Sequence, residues 1–152
     1  MSLPKSEEAT NSWKLCFLPI EVLRMHEEIS NEHLDLLYRE ILRDGVLKKP
    51  LLVENKYLII LDGHHRYVVL RKIGARIAPV FLVDYSSPDV EVYSWREDWR
   101  VTKEMVIEAG LKEKKLPFKT SRHIVRRYNI PEINIPLSNL VEGWINNGVN
   151  GD

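Results

Sequence analysis

Tyr57-Leu58-Ile59-Ile60-Leu61-Asp62-Gly63-His64-His65-Arg66-Tyr67 is the stretch on which the reading of this chain turns. Its first five residues are an apolar run of strand length. Tyr67, Leu70, Arg71 and Ile73 then begin a helical spacing that Gly74 stops. The junction between them carries an aspartate, a glycine, two histidines and an arginine at a helix N-terminus. Unpaired backbone N–H groups and the positive end of the helix dipole favour an anion there, and Gly63 lets a ligand approach the backbone closely. A phosphate is the natural guest. The plain structural reading, in which Asp62 ends a strand and the histidines decorate a helix, accounts less well for so many ionisable side chains beside a glycine. His64 and His65 diverge by about 100° on a helix, so they do not jointly grip a metal ion. Arg66 supplies a planar fork for phosphate, and Asp62 a hard oxygen ligand for Mg²⁺ bridging two phosphates. Together they describe a nucleotide site.

Working outward, Pro50 precedes a short strand over residues 51–53. Glu54-Asn55-Lys56 turns the chain into the strand ending at Asp62, so a hairpin feeds the loop. Upstream, residues 14–18 read as a first strand behind a polar lead-in over residues 1–12. Leu34, Leu37, Tyr38, Ile41 and Leu42 give a helix capped by Ser30 or Asn31 and stopped by Gly45. Downstream, residues 77–84 and 90–95 read as strands separated by the turn Ser86-Ser87-Pro88-Asp89, and Thr102 caps a helix over residues 103–109 that ends at Gly110. A basic stretch, an extended segment over residues 130–137 and a short apolar tail through Trp144 follow. The order implies an α+β fold with one mixed sheet.

The 152 residues, 44% of them hydrophobic, suffice for one good core, and the chain is expected to form a single compact unit. The 22 basic side chains balance 22 acidic ones, so no overall field draws the protein to nucleic acid or an anionic membrane. Any anion site must be local. Apolar runs far too short to span a bilayer and an N-terminus unlike a signal peptide lead to a cytoplasmic expectation with no membrane partner. The single cysteine, Cys16, excludes an internal disulfide and a multi-thiolate zinc site, and reads as a small apolar residue in a strand.

Two further constellations carry chemistry. His26-Glu27-Glu28 precedes the capped helix, and on its own reads as solvated charge or first-turn carboxylates. Lys119-Thr120-Ser121-Arg122-His123 offers hydroxyls, cations and an imidazole, a plausible anion cradle. Residues 112–127 hold seven Lys or Arg against one Glu, which makes a nucleic-acid surface the rival reading there. Aromatic residues only at Phe118 and Tyr128 give little support for a stacking platform. Trp95 and Trp99 end and follow a strand, where such residues are more often core than ligand contacts.

The ordered set Met25-His26-Glu27-Glu28, Lys49-Pro50, Leu61 to Tyr67 with Lys72-Ile73-Gly74-Ala75, Ala78-Pro79-Val80 and Val83-Asp84-Tyr85 resembles the ParB/sulfiredoxin superfamily, and within it the archaeal free L-serine kinases. Those proteins also carry segments similar to Val90-Glu91-Val92-Tyr93-Ser94-Trp95, to Lys119 through His123, and to Ile133-Asn134-Ile135. In them a sizeable lobe separates the tryptophan strand from the threonine-rich segment, whereas here residues 96–118 fill that interval. The resemblance implies a ParB/sulfiredoxin-like mixed sheet with flanking helices. Residues 1–100 would form the nucleotide-binding core, and residues 101–152 a short C-terminal lobe completing the substrate site.

The activity it implies is phosphorylation of the hydroxyl of free L-serine to O-phospho-L-serine, with ADP or ATP as donor and Mg²⁺ as cofactor. By the family's pattern Glu27 is the general base, which reverses the plain reading of that residue. Asp62 holds the metal or orients the acceptor. Lys49, Gly63, His64, His65 and Arg66 bind nucleotide phosphates, and Trp95, Thr120, Ser121, Arg122 and His123 form the serine and phosphoserine pocket. A nucleotide-binding switch that does not turn over is the alternative, and nucleic acid is not the expected partner. Sulfiredoxin's loop cysteine is replaced around His64 and His65, so sulfinic-acid reduction is not expected. Nor is chromosome partitioning, for which too few residues remain to build a DNA-binding helix-turn-helix.

Overall fold

The computed structural model describes residues 13–143. The polar lead-in and the end of the apolar tail at Trp144 lie outside the described residues. Strand β1 (Lys14–Pro19) passes through a single 3-10 turn, Ile20–Val22, toward helix α1 (Asn31–Asp44). Of the two caps the sequence offers, Ser30 acts: its hydroxyl accepts the His33 N–H at 3.4 Å, and Gly45 closes the helix at φ +73°. Strands β2 (Val46–Leu47), β3 (Leu51–Glu54) and β4 (Ile60–Asp62) lead into helix α2 (His64–Lys72). Strands β5 (Ile77–Val83) and β6 (Val90–Ser94), helix α3 (Lys103–Lys112), strands β7 (Ser121–Val125) and β8 (Ile135–Pro136) and helix α4 (Leu137–Glu142) complete the order.

The main sheet has the order β1-β5-β3-β4, with β5 antiparallel to β1 and parallel to β3, and β3 antiparallel to β4 across a bulge at Leu52 and Val53. Alternation along the strands divides two cores. Leu51, Val53, Ile60 and Val80 face the side covered by α1 and α2, while Leu52, Ile59, Leu61 and Phe81 face the side reached by Val106 of α3. With a core on each face, the central strand β5 is nearly continuous in apolar residues. The hairpin turn is held by Glu54, 1% exposed, whose carboxylate accepts the N–H groups of Lys56, Tyr57 and Ile59 at 2.8 to 3.1 Å. Three backbone N–H groups and the buried carboxylate are thereby satisfied.

Three sequence expectations change. The strand over residues 90–95 does not join the main sheet; β6 pairs antiparallel with β7 in a separate ribbon. Helix α3 runs past Gly110 to Lys112 and ends at Glu113, φ +57°. Gly110 is inside the helix because a Cβ there would lie 2.7 Å from Ile59 Cδ1, so close packing and not termination requires the glycine. Of the segment expected to be extended over residues 130–137, only Ile135–Pro136 pairs, with Val46–Leu47. Leu137 begins α4, which buries Leu140 in the first core. Cys16 is half-buried in β1, and among the described residues no helix is long and apolar enough to cross a membrane.

Candidate active site

Helix α2 starts at Gly63, φ +103°, which offers no side-chain cap. The first intrahelical bond runs from Tyr67 N to Gly63 O at 2.9 Å, so the N–H groups of His64, His65 and Arg66 precede the hydrogen-bonded ladder. They border a cleft of about 310 Å³ lined by Glu27, Glu28, His33, Leu37, Leu61, Asp62, Gly63, His64, His65, Arg66, Trp95, Phe118, Lys119 and Ser121. A Cβ on Gly63 would meet Leu51 Cδ2 at 2.9 Å and Arg66 Nη2 at 3.0 Å. Gly63→Ala is therefore expected to cost about 2–3 kcal/mol, from left-handed backbone strain and overpacking. A urea titration checks this, and an unchanged midpoint would show that the loop relaxes freely.

Arg66 is largely buried: Nη1 donates to the Pro50 carbonyl and Nη2 lies 3.8 Å from Asp62 Oδ2. Burial pulls its guanidinium below the usual arginine range, and Asp62 opposes that. Asp62 itself is 70% exposed at the cleft edge. Among the described residues no three His, Cys, Asp or Glu side chains are grouped to hold a metal ion. One exposed carboxylate beside an open helix N-terminus is nevertheless a donor set that would suit Mg²⁺, which is usually carried by phosphates and held by one or two carboxylates.

Across the cleft, Glu27 is seated by the start of β7. Its Oε1 accepts the Ser121 N–H at 3.0 Å and the Ser121 hydroxyl at 2.8 Å, and its Oε2 accepts the Lys119 N–H at 3.0 Å. Lys119 adopts φ +59°, a left-handed conformation that aims its amide inward. Burial raises the Glu27 carboxyl above the ordinary range, and the hydrogen bonds from Ser121, Lys119 and Thr120 oppose that rise. The result is a carboxylate made more basic yet fixed in orientation.

Behind Glu27 lies a buried histidine cluster. His26 is 0% exposed, with its ring centroid 4.6 Å from that of His64 and 5.8 Å from that of His123. His64 Nε2 accepts the His26 backbone N–H at 3.2 Å, and His65 Nε2 accepts the Ser30 N–H at 3.0 Å. Burial lowers all four rings, His26 to about 4 and His123 to about 3, and neighbouring histidines add to the effect on His64, His65 and His123. Burial therefore favours the neutral form of each ring.

The structure thus brings Glu27, Asp62, Gly63, His64, His65, Arg66, Trp95 and Ser121 to one cleft and relocates the others. Both loop histidines spend Nε2 on backbone amides rather than pointing it at a ligand. Lys49 lines an adjoining cavity of about 360 Å³, which shares Leu37 and Arg66 with the cleft. Thr120 is buried, its hydroxyl donating to Pro117 O at 2.6 Å, and His123 Nε2 lies 2.8 Å from the Tyr85 hydroxyl. Neither is among the residues that line the cleft, although the resemblance implies a substrate-pocket role for both. Within β7, alternation turns Ser121 and His123 toward His26 and turns Arg122 out, where its Cζ lies 5.0 Å from the Trp95 ring centre. Trp95 and Trp99, expected in the core, are 50% and 38% exposed. Glu28 and Lys119, from the two charged constellations, also line the cleft, and His33, Leu37 and Phe118 join it without having been singled out as site residues. Of the basic stretch, Lys112, Arg126 and Arg127 are paired with Glu108, Glu91 and Asp89, which leaves a weaker field than the sequence count suggests.

No family model matches the chain. Over 116 residues it is 33% identical to an ADP-dependent L-serine kinase of Thermococcus kodakarensis, an alignment covering 73% of this chain and 48% of that protein. An ATP-dependent L-serine kinase of Staphylothermus marinus is 29% identical over 62% of the chain and 39% of its own length. The chain therefore spans half or less of the length of these curated relatives. Among solved structures, a free serine kinase in complex with AMP matches with a TM-score of 0.75 at 19% identity, covering 85% of this chain and 94% of that one. The α+β fold expected from the sequence is the fold of that kinase, and the resemblance carried by the ordered motifs extends to proteins named as L-serine kinases.

Proposed function

We propose that this chain, related in sequence and fold to the L-serine kinases, transfers a phosphoryl group from ADP or ATP to the hydroxyl of free L-serine. The observation that carries this reading is the pairing, across one cleft, of an oriented carboxylate with an open helix N-terminus. The donor's terminal phosphate sits against the first-turn N–H groups of α2 with Gly63 beneath it. The serine hydroxyl oxygen attacks the terminal phosphorus, the bond from that phosphorus to the bridging oxygen breaks, and the nucleotide leaves with that oxygen. Glu27 takes the hydroxyl proton. A positioned base of this kind contributes ~10²–10⁴ in rate.

Most of the remaining catalysis comes from alignment and charge neutralisation, because phosphoryl transfer asks little covalent work of the protein. Arg66 and the helix end supply part of the positive field. Asp62 would hold Mg²⁺, whose charge offsets that on the transferring oxygens. Arg122 and Lys119, which lie 5.0 and 5.4 Å from the Trp95 ring centre, are the cations on hand for the carboxylate of serine or the new phosphate. ADP and ATP share the phosphate groups that this cleft can hold. Residues 1–100 supply the nucleotide side of the site, and residues from 101 onward the turn that seats Glu27.

Phosphorus NMR of purified protein with L-serine, Mg²⁺ and either ADP or ATP tests the reading. A phosphoserine resonance in one tube or both is expected, and its pattern identifies the donor. Folded protein that forms no phosphoserine with either donor would instead point to a nucleotide-binding switch.

A further inference from the structure

Ser121 has one hydroxyl proton and two acceptors for it. Its Oγ lies 2.8 Å from Glu27 Oε1 and 2.9 Å from His26 Nε2. The far side of the His26 ring fixes the tautomer: Nδ1 is 2.7 Å from the Ile60 carbonyl oxygen, which can only accept, so Nδ1 carries the ring proton. In the neutral ring Nε2 is then an acceptor. While Glu27 is ionised its Oε1 takes the Ser121 proton, and His26 Nε2, wholly buried, is left without a donor. When Glu27 is protonated, its O–H can donate to Ser121 Oγ, and the Ser121 hydroxyl turns its own proton to His26 Nε2. Only in that state are both bonds made.

The surroundings keep the proton off the ring. His64 from α2 and His123 from β7 face His26 edge-on, Tyr85 stands behind His123, and Lys115 and Lys103 add positive charge to the cluster. Among the described residues, the carboxylate paired with His26 is Glu27 itself, with Oε1 3.8 Å from Nε2.

We propose that His26 is a positioning residue for the base, the terminal acceptor to which the Ser121 hydroxyl turns when Glu27 takes up a proton. The kinase reading supplies the source of that proton, the serine hydroxyl; the chain itself rests on the geometry of three side chains. In the catalytic step the serine O–H bond breaks and a Glu27 O–H bond forms, while the Ser121 proton only rotates. Proton uptake completes a buried hydrogen-bond chain, and a buried acceptor left without a donor is costly. The arrangement therefore favours protonation of Glu27 and brings the base closer to the working pH.

The test begins with the unmodified chain labelled with ¹⁵N-histidine. Through the titration of Glu27, the His26 Nε2 signal is expected to stay in the unprotonated range and to shift with the carboxyl's apparent pKa, a step that disappears in Glu27→Gln. A ring that becomes doubly protonated in that step, or a signal with no step, would overturn the proposal. In a second arm, His26→Phe is expected to move the acid limb of the kcat/KM profile down by about one pH unit. A lower rate with an unmoved limb would mean that His26 only fills space. If the chain makes no phosphoserine at all, the kinase reading fails, while the NMR step still decides the hydrogen-bond chain.

Discussion

Glu27→Gln is expected to slow phosphoserine formation by ~10²–10⁴-fold while leaving nucleotide affinity largely intact. The argument rests on what the amide keeps and what it loses. A glutamine fills the same space and still accepts one of the two backbone N–H groups that seat Glu27, from Lys119 or Ser121. Its NH₂ then meets the other donor head-on, and that partly exposed amide loses its protein acceptor, at about 1 kcal/mol of stability. The turn over residues 119–121 therefore loosens without detaching. The α2 N-terminus, Gly63 and Arg66 lie across the cleft and are untouched. A substitution that removes a proton acceptor without disturbing the phosphate site should lower kcat and leave nucleotide binding unchanged. Isothermal titration with AMP and ADP, beside single-turnover rates, separates the two. A rate within about tenfold of wild type would show that Glu27 is only a staple for β7 and that the base lies elsewhere, since loss of a true base costs more than that.

That staple could not be read from the sequence. Glu27 is separated from its partners Lys119 and Ser121 by 92 and 94 positions, and His64 from the His26 amide by 38. No local pattern encodes such contacts; only the ordered resemblance to a family pointed to Glu27, against the plain reading of its neighbours. What was legible was local. An apolar run, a glycine that must adopt a positive φ and a helical spacing placed the α2 junction to within a residue, and Ser30 and Gly45 bounded α1 as expected. Strand β7 was hidden because charge dominates residues 119–127 and obscures the two-residue alternation that turns Ser121 and His123 inward. Gly110 carried the usual mark of a helix stop, yet its role is contact with Ile59, the residue just before β4. The exposure of Trp95 follows from β6 leaving the main sheet, a tertiary choice that an amphipathic strand does not announce.

The same buried histidines predict how the fold responds to acid. Lowering the pH from 7 to 4 is expected to cost about 5 kcal/mol of stability. His26 and His123 titrate near 6.5 when unfolded but are held to about 4 and about 3 in the fold, first by burial; His64 is lowered as well. Between those values and 6.5 the unfolded chain binds more protons than the native one, so stability rises with pH. The stabilisation is complete above 6.5 and is lost as the pH falls through the window below it. Protonating His64 would also remove the acceptor of the His26 N–H. Glu27 acts in the opposite direction: its carboxyl is raised above its ordinary value of 4.5, so the native state gains protons there first and offsets part of the loss. The surface pairs of Glu91 and Glu108 hold those carboxyls below 4.5, so they act only at the acid end of this window, and solvent screening keeps that loss small. Urea midpoints at pH 7 and pH 4 test the balance. Equal midpoints would mean that the three rings are already charged or reach water. In either case the Ile60 carbonyl would no longer fix the His26 tautomer, and the hydrogen-bond chain from His26 through Ser121 to Glu27 would lose its acceptor.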